Sequence, residues 1–203
     1  MKSMIAKTNT INLPVITGEY SMIPFDLNTL AGIPLQFLTT VAQMLSGIKH
    51  EGGKAFFTIH GKTLKASQTL RRGAPHTDGN YEPVKMGFGS GGGSGWKVGE
   101  NGPSIDSELH KRQYNAINGG LILASNHSAC LGWKGEFEGT PKVGGDCRHI
   151  ALNDAFMLES NVVYYGNNHF IHESLAVDVD VHRVFARITM PENHNYHFIT
   201  ECV

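Results

Sequence analysis

The sequence predicts a mainly β domain with one or two helices, an α+β chain arranged as a jelly-roll or double-stranded β-helix. Three observations carry that expectation. One amphipathic pattern, Pro34 followed by Leu38, Val41, Leu45 and Ile48 at three- and four-residue spacing, marks an early helix. After it the signals are almost all β, in segments rich in branched and aromatic residues. Those segments are short and separated by turn residues, the pattern of many antiparallel strands folded back on one another.

In chain order, the helix falls within an N-terminal helical segment around 26–50 and should run about 14 residues against a sheet before Gly52-Gly53 stops it. Strands are expected at Ala55 to Ile59, then, after a His60-Gly61 turn, at Thr63 to Thr69. Leu121 to Ser125, Phe156 to Tyr165, Arg183 to Met190 and Tyr196 to Ile199 complete the set. The strand from Arg183 is the clearest. Residues alternate sides, so Val184, Ala186, Ile188 and Met190 share one face, while Arg183, Phe185, Arg187 and Thr189 share the other. If that second face is solvent, the pattern is an ordinary half-buried strand. If it is the inside of a small barrel, the arginines require a buried carboxylate from a side chain or a ligand.

Composition narrows the class. At 203 residues the chain reads as a single domain, 1–203, able to bury its own core. Seventeen basic against eighteen acidic residues argue against an extended phosphate-binding surface, so nucleic acid is not indicated, though not excluded. The densest basic group, Lys62, Lys65, Arg71 and Arg72, reads as a solvated hairpin. Cys130, Cys147 and Cys202 are too few and too irregularly spaced for a disulfide framework or a thiolate zinc site, which points to a reducing cytoplasm. No apolar run of membrane-spanning or signal-peptide length occurs, so a soluble cytoplasmic protein without membrane contact is expected.

Chemistry is concentrated in two stretches, Pro75-His76-Thr77-Asp78-Gly79 and Ile171-His172-Glu173-Ser174. Together they offer two imidazoles and a carboxylate to one metal ion, a facial set that leaves coordination positions open. Taken alone, Asp78-Gly79-Asn80 is also a good turn, and a single histidine is more often a satisfied polar residue than a ligand. Order and spacing raise the signal: His-x-Asp, a second histidine 96 positions on, then arginines 11 and 15 positions beyond it. His169 lies three residues before His172, and on a strand the two face opposite ways; His172 has the better spacing to the arginines.

In these residues the chain resembles the Fe(II)/2-oxoglutarate-dependent oxygenase superfamily, the double-stranded β-helix dioxygenases, over His76 to Thr189. Asn168 to Leu175 is similar to the distal-histidine segment of many relatives. The resemblance implies that His76, Asp78 and His172 bind Fe(II) and form the catalytic centre. It implies that Arg187 clamps 2-oxoglutarate with Thr189 assisting, and that Arg183 holds either that co-substrate or an anionic substrate. It implies O2 as co-substrate and hydroxylation of a C–H bond in a small molecule or side chain, with release of succinate and CO2.

Around the motif, Arg71, Asn80, Tyr81, Trp96 and Trp133 are candidate substrate contacts, and the Gly-rich loop 87–102 is a candidate lid carrying Trp96. Gly144 to His149 reads as a structured turn, and Ser125-Asn126-His127-Ser128 lacks the flanking glycines of a hydrolase nucleophile. Two other classes remain open. A cupin-like metalloprotein without 2-oxoglutarate predicts that Arg187 pairs with a protein carboxylate such as Glu159 or Asp154. A non-enzymatic β-sandwich predicts that the motif is a turn and that the arginines face solvent.

Overall fold

The computed structural model describes residues 1–78 and 120–190. Its elements are β1 (Lys2–Ser3), β2 (Ile5–Thr10), β3 (Gly18–Asp26), α1 (Leu38–Leu45), β4 (Lys54–Leu64), β5 (Leu121–Ser125), β6 (Cys130–Trp133), β7 (Gly135–Glu136), β8 (Phe156–Met157), β9 (Val162–Gly166), β10 (Ile171–Ser174) and β11 (Val181–Thr189). The described residues are therefore mainly β with one short α-helix. The strands form a six-stranded sheet ordered β2-β9-β5-β11-β4-β3, a three-stranded sheet ordered β10-β6-β8, and the small β1-β7 pair. All pairings are antiparallel, and no barrel closes among the described residues.

The large sheet is covered on both faces, which explains why β5 (LILAS) and β9 (VVYYG) are buried throughout instead of alternating. On one face Val184, Ala186, Ile188 and Met190 of β11 and Ala55, Phe57 and Ile59 of β4 pack with Phe37, Val41 and Met44 of the helical segment. On the other, Phe185 joins Leu64, Leu121, Leu123, Tyr164 and Phe170. The small sheet shares that second side, where β10 and β6 contribute Phe170's neighbour Ile171, and Trp133, to a third cluster with Cys147 and Ile150. Alternation on β11 thus appears as expected, and its polar face points inward.

Several boundaries differ from the sequence expectation. The helix is eight residues long, preceded by a 3-10 turn at Leu35–Phe37. Its end is fixed from outside: the Asn9 amide and the Ser46 hydroxyl both donate to the Gln43 carbonyl, at 3.0 and 2.9 Å. Strand β4 runs straight through His60-Gly61, so no turn forms there. Gly61 is needed for a close approach, since a Cβ would stand 2.1 Å from the Ile16 carbonyl oxygen. The segment expected at Phe156 to Tyr165 splits into β8 and β9, broken where Asn161 adopts a left-handed φ of 57°. Strands β2 and β3 were not anticipated. Pro24 and Gly18 punctuate β3, which tolerates them because it is an edge strand with a register shift between Tyr20 and Ile23. The strand expected at Tyr196 to Ile199 and the Gly-rich loop 87–102 lie outside the described residues. Among the described residues no helix is long and apolar enough to cross a membrane.

Candidate metal centre

The two histidines are brought together by backbone register. The His76 amide donates to the His172 carbonyl and the His172 amide to the His76 carbonyl, both at 2.9 Å. This is a directly opposed antiparallel pair, and opposed residues present side chains on the same face. The imidazole centroids accordingly lie 4.5 Å apart. Asp78, two residues after His76, shares its side of the extended segment. The ligand atoms of His76, Asp78 and His172 all lie within 4.8 Å of one another. All three side chains are buried. His169 does not join this group.

The His76 segment is held on its other side as well. Asp146 bridges to His76, the Thr77 amide donates to the Gly145 carbonyl, and the Cys147 amide donates to the Pro75 carbonyl, both at 2.9 Å. Gly145 has a φ of 75°, and a Cβ there would meet the Thr77 carbonyl oxygen at 2.1 Å. The stretch expected as a turn is therefore a turn with a second task, bracing the His-x-Asp segment. Sequence reasoning missed that task; the adjacent glycines were its only signal.

Hydrogen bonding fixes the tautomers. His76 Nδ1 lies 2.8 Å from the Ala74 carbonyl and His172 Nδ1 3.2 Å from the Phe170 carbonyl. A carbonyl only accepts, so each Nδ1 carries the hydrogen and each Nε2 keeps its lone pair. Burial, with the neighbouring His172 adding to it, pushes the His76 pKa down to about 4, keeping the ring in the form that binds a metal. Burial alone would raise the Asp78 pKa. The Arg187 guanidinium and the two imidazoles outweigh it and hold the carboxyl well below the ordinary range.

Arg187 donates to Asp78 Oδ2 at 2.5 Å, and His172 Nε2 lies 3.6 Å from the same oxygen. The other carboxylate oxygen, Oδ1, is buried without a hydrogen-bond partner. One buried carboxylate oxygen and two imidazole nitrogens are thus left uncommitted around one point. This group could hold a metal ion, since a buried carboxylate oxygen without a partner is costly unless a cation or donor meets it.

A small cleft, partly open to solvent, lies over the three residues. Its lining adds Arg71, Arg72, Cys130, Ser174, Arg183, Phe185 and Arg187. Arg183 is fully buried; its Nη1 donates to Ser174 Oγ at 2.8 Å and its Nε to Ser125 Oγ at 3.4 Å, while Nη2 has no partner. Burial, with the charge of Arg71 adding to it, lowers its pKa. Cys130 is buried against the cleft, and burial pushes its thiol up to about 12, so it stays protonated.

The remaining candidates separate. Arg71 lines the cleft as expected, and Arg72 does too, so that half of the basic group is not a solvated hairpin; Lys62 and Lys65 are exposed. Thr189 is not among the cleft residues. Trp133 is buried in the third apolar cluster, away from the substrate-facing role expected of it. Asn80, Tyr81 and Trp96 lie outside the described residues. Glu159 pairs with Lys7, so the acid that meets Arg187 is Asp78. Ser125 and Ser174 were not anticipated as site residues; nothing in their spacing marks them, since only the pairing of β5 and β10 around β11 brings them to Arg183. Comparison of the chain with protein-family models, with curated proteins and with solved structures gives no match.

Proposed function

We propose that this protein is an Fe(II)- and 2-oxoglutarate-dependent dioxygenase of the double-stranded β-helix class, hydroxylating a C–H bond. The observation that carries this reading is the opposed pair His76–His172, with Asp78 two residues on, in one cleft with the buried Arg183 guanidinium, which has no carboxylate partner among the described residues. The strand path supports the jelly-roll. From β4 onward the chain passes between sheets: β4 large, the His76 segment small, β5 large, β6 and β8 small, β9 large, β10 small, β11 large.

His76 Nε2, His172 Nε2 and Asp78 Oδ1 would hold the iron, leaving the open positions an oxidant needs. Arg187 holds Asp78 by its other oxygen, which fixes the carboxylate and leaves Oδ1 to the metal. That commitment shifts the co-substrate clamp from Arg187 and Thr189 to Arg183, whose Nη2 is aligned with no acceptor and whose neighbours Ser125 and Ser174 supply hydroxyls. Iron with bound 2-oxoglutarate and O2 supplies oxidation of a C–H bond, with succinate and CO2 released. The protein's share is to orient the substrate and exclude water.

The pairing of Arg187 with a protein carboxylate is what the cupin-like reading predicts, and it keeps that reading alive. Anaerobic titration of the metal-stripped protein with Fe(II) and 2-oxoglutarate separates the two. A visible charge-transfer absorption, absent in His172→Ala, is expected for the oxygenase. Iron binding without that absorption supports the cupin-like protein.

A further inference from the structure

The cleft holds more positive charge than its described surroundings neutralise. Among the described residues four arginines line it against Asp78 as the single acid. Arg187 is committed to Asp78, and Arg71 is paired with Glu19 at 2.9 Å while its guanidinium lies over the Phe185 ring at 5.5 Å. Arg183 has only hydroxyl partners. Arg72 donates to the Gly144 carbonyl and has no ion pair among the described residues. Asp146 is within electrostatic reach of Arg72, but both its oxygens are engaged by Arg148, Oδ1 at 3.0 Å and Oδ2 at 2.7 Å.

Arg72 belongs to the metal side of this cleft. It precedes His76 by four residues, and its charge acts on the His76 ring. Its carbonyl accepts from the Ser174 amide at 3.1 Å, and the Ser174 hydroxyl accepts from Arg183. The backbone of Arg72 and the side chain of Arg183 therefore meet at one residue of β10, both arginines line the cleft, and neither guanidinium has a carboxylate partner among the described residues. One dicarboxylate co-substrate clamped at Arg183 leaves Arg72 unanswered, and a guanidinium fork matches the oxygens of a carboxylate or phosphate.

On the oxygenase reading given above, we propose that the substrate is a small molecule bearing a carboxylate or phosphate group, held by Arg72 with Arg71 beside it. Size follows from where the charge sits. The chain carries a formal net charge of −1, and Lys65 outside the cleft is tied to Asp180, so among the described residues no extended basic track leads from the mouth for a polymer to follow.

Calorimetric titration of the full chain with inorganic sulfate, as a neutral-pH oxyanion probe, tests this in the anaerobic Fe(II)/2-oxoglutarate complex. Saturable binding at one site, weakened ten-fold or more in Arg72→Gln and partly restored in Arg72→Lys, is the expected result. The dissociation constant for 2-oxoglutarate, read in the same variants, should move less than two-fold. Sulfate binding that disappears at saturating 2-oxoglutarate would mean a single anion site and would overturn the proposal; so would indifference to Arg72→Gln. Matched carboxylic acids and carboxamides, scored by succinate release, should differ at least ten-fold in favour of the acids, and equal stimulation would also overturn it. An oligonucleotide that binds more tightly than sulfate, with a steep salt dependence, would replace the small molecule with a polymer and refute the size assignment. Should the Fe(II)/2-oxoglutarate complex not form, the oxygenase reading fails by itself. The same sulfate titration of the metal-free wild type and Arg72→Gln would still decide the anion site.

Discussion

Strand β11 is buried on both faces, and the two faces are filled in opposite ways. One carries Val184, Ala186 and Ile188, with Met190 just past its end, packed in an apolar cluster with the helical layer. The other carries Arg183 and Arg187, at 0% and 2% exposure, beside the apolar ring of Phe185. The first face is filled by apolar side chains. The second has a guanidinium nitrogen on each arginine and one Asp78 oxygen buried without partners. Burial that closes its own contacts stabilises a fold, whereas burial that leaves charge and hydrogen-bond capacity unused describes a place awaiting ligands. The two faces should therefore respond differently to substitution.

The sharpest way to break that comparison is at Asp78. Asp78→Ala removes the acid from a buried ion pair and strands Arg187, which should cost about 3–5 kcal/mol as well as abolish metal binding. The double variant Asp78→Asn/Arg187→Gln should recover most of the stability and none of the metal binding. Chemical denaturation and Fe(II) binding, measured on both variants, check this. If the double variant is as unstable as the single, Arg187 is not the reason Asp78 matters to the fold.

On the closed face, Ile188→Ala should cost about 2–5 kcal/mol, by lost transfer energy and a cavity the flanking strands cannot collapse. The metal dissociation constant should change less than two-fold, because β10 and the His76 segment, not the apolar side of β11, set the ligand geometry. A large change in metal affinity would show that the two faces are not separable.

Acid sharpens the contrast because only the polar face titrates. His76 has a folded pKa of about 4 against an ordinary 6.5, so between those values the unfolded chain binds the proton that the folded chain refuses. Stability of the metal-free protein should then rise with pH through that window and be lost as pH falls from about 6.5 to about 4, by about 3 kcal/mol from this residue. His60 and His169, also lowered by burial, add in the same direction. Asp78, whose pKa is depressed, contributes stability that is lost only below the ordinary carboxylate range. Denaturation midpoints at a series of pH values should show a shallower slope in His76→Gln, and an unchanged slope would remove His76 from the account.

Which parts of this arrangement the sequence announces follows from the range of the signal. Alternation on β11 and the spacing of His76, Asp78 and His172 are local patterns set by strand geometry, and both are present as read. The inward orientation of Arg183 and Arg187 was one of two open choices, because alternation says which residues share a face and not what covers it. Strand β3 escaped notice because Gly18 and Pro24 look like breakers, and only an edge position makes them harmless; β2, IAKTNT at the opposite edge, is short and mostly polar and gives little strand signal. Arg72 looked like surface charge beside Arg71, Lys62 and Lys65. Its place in the cleft depends on the Ser174 amide and the Gly144 carbonyl, both more than 70 positions away. The brace from Gly145 and Cys147 onto the His-x-Asp segment is of the same long-range kind.

Arg183 is where the smallest effect should carry the most information. Among the described residues this buried guanidinium is held by two hydroxyls alone, a cost to the metal-free fold, and a shorter neutral amide placed where Nε lies, beside Ser125, removes the buried charge at the expense of the single Ser174 hydrogen bond. Arg183→Gln should therefore leave the metal-free melting temperature unchanged or raise it. The same change removes a charge-assisted partner for the distal carboxylate of 2-oxoglutarate, so the co-substrate requirement should rise ten-fold or more, about 1.4 kcal/mol. Saturating 2-oxoglutarate should stabilise the wild type by mass action and the variant much less. Thermal melts with and without 2-oxoglutarate, in Arg183→Gln and in Arg187→Gln, tell the two arginines apart. A variant that melts lower without ligand, and gains as much from 2-oxoglutarate as the wild type, would make Arg183 a structural residue and move the clamp elsewhere.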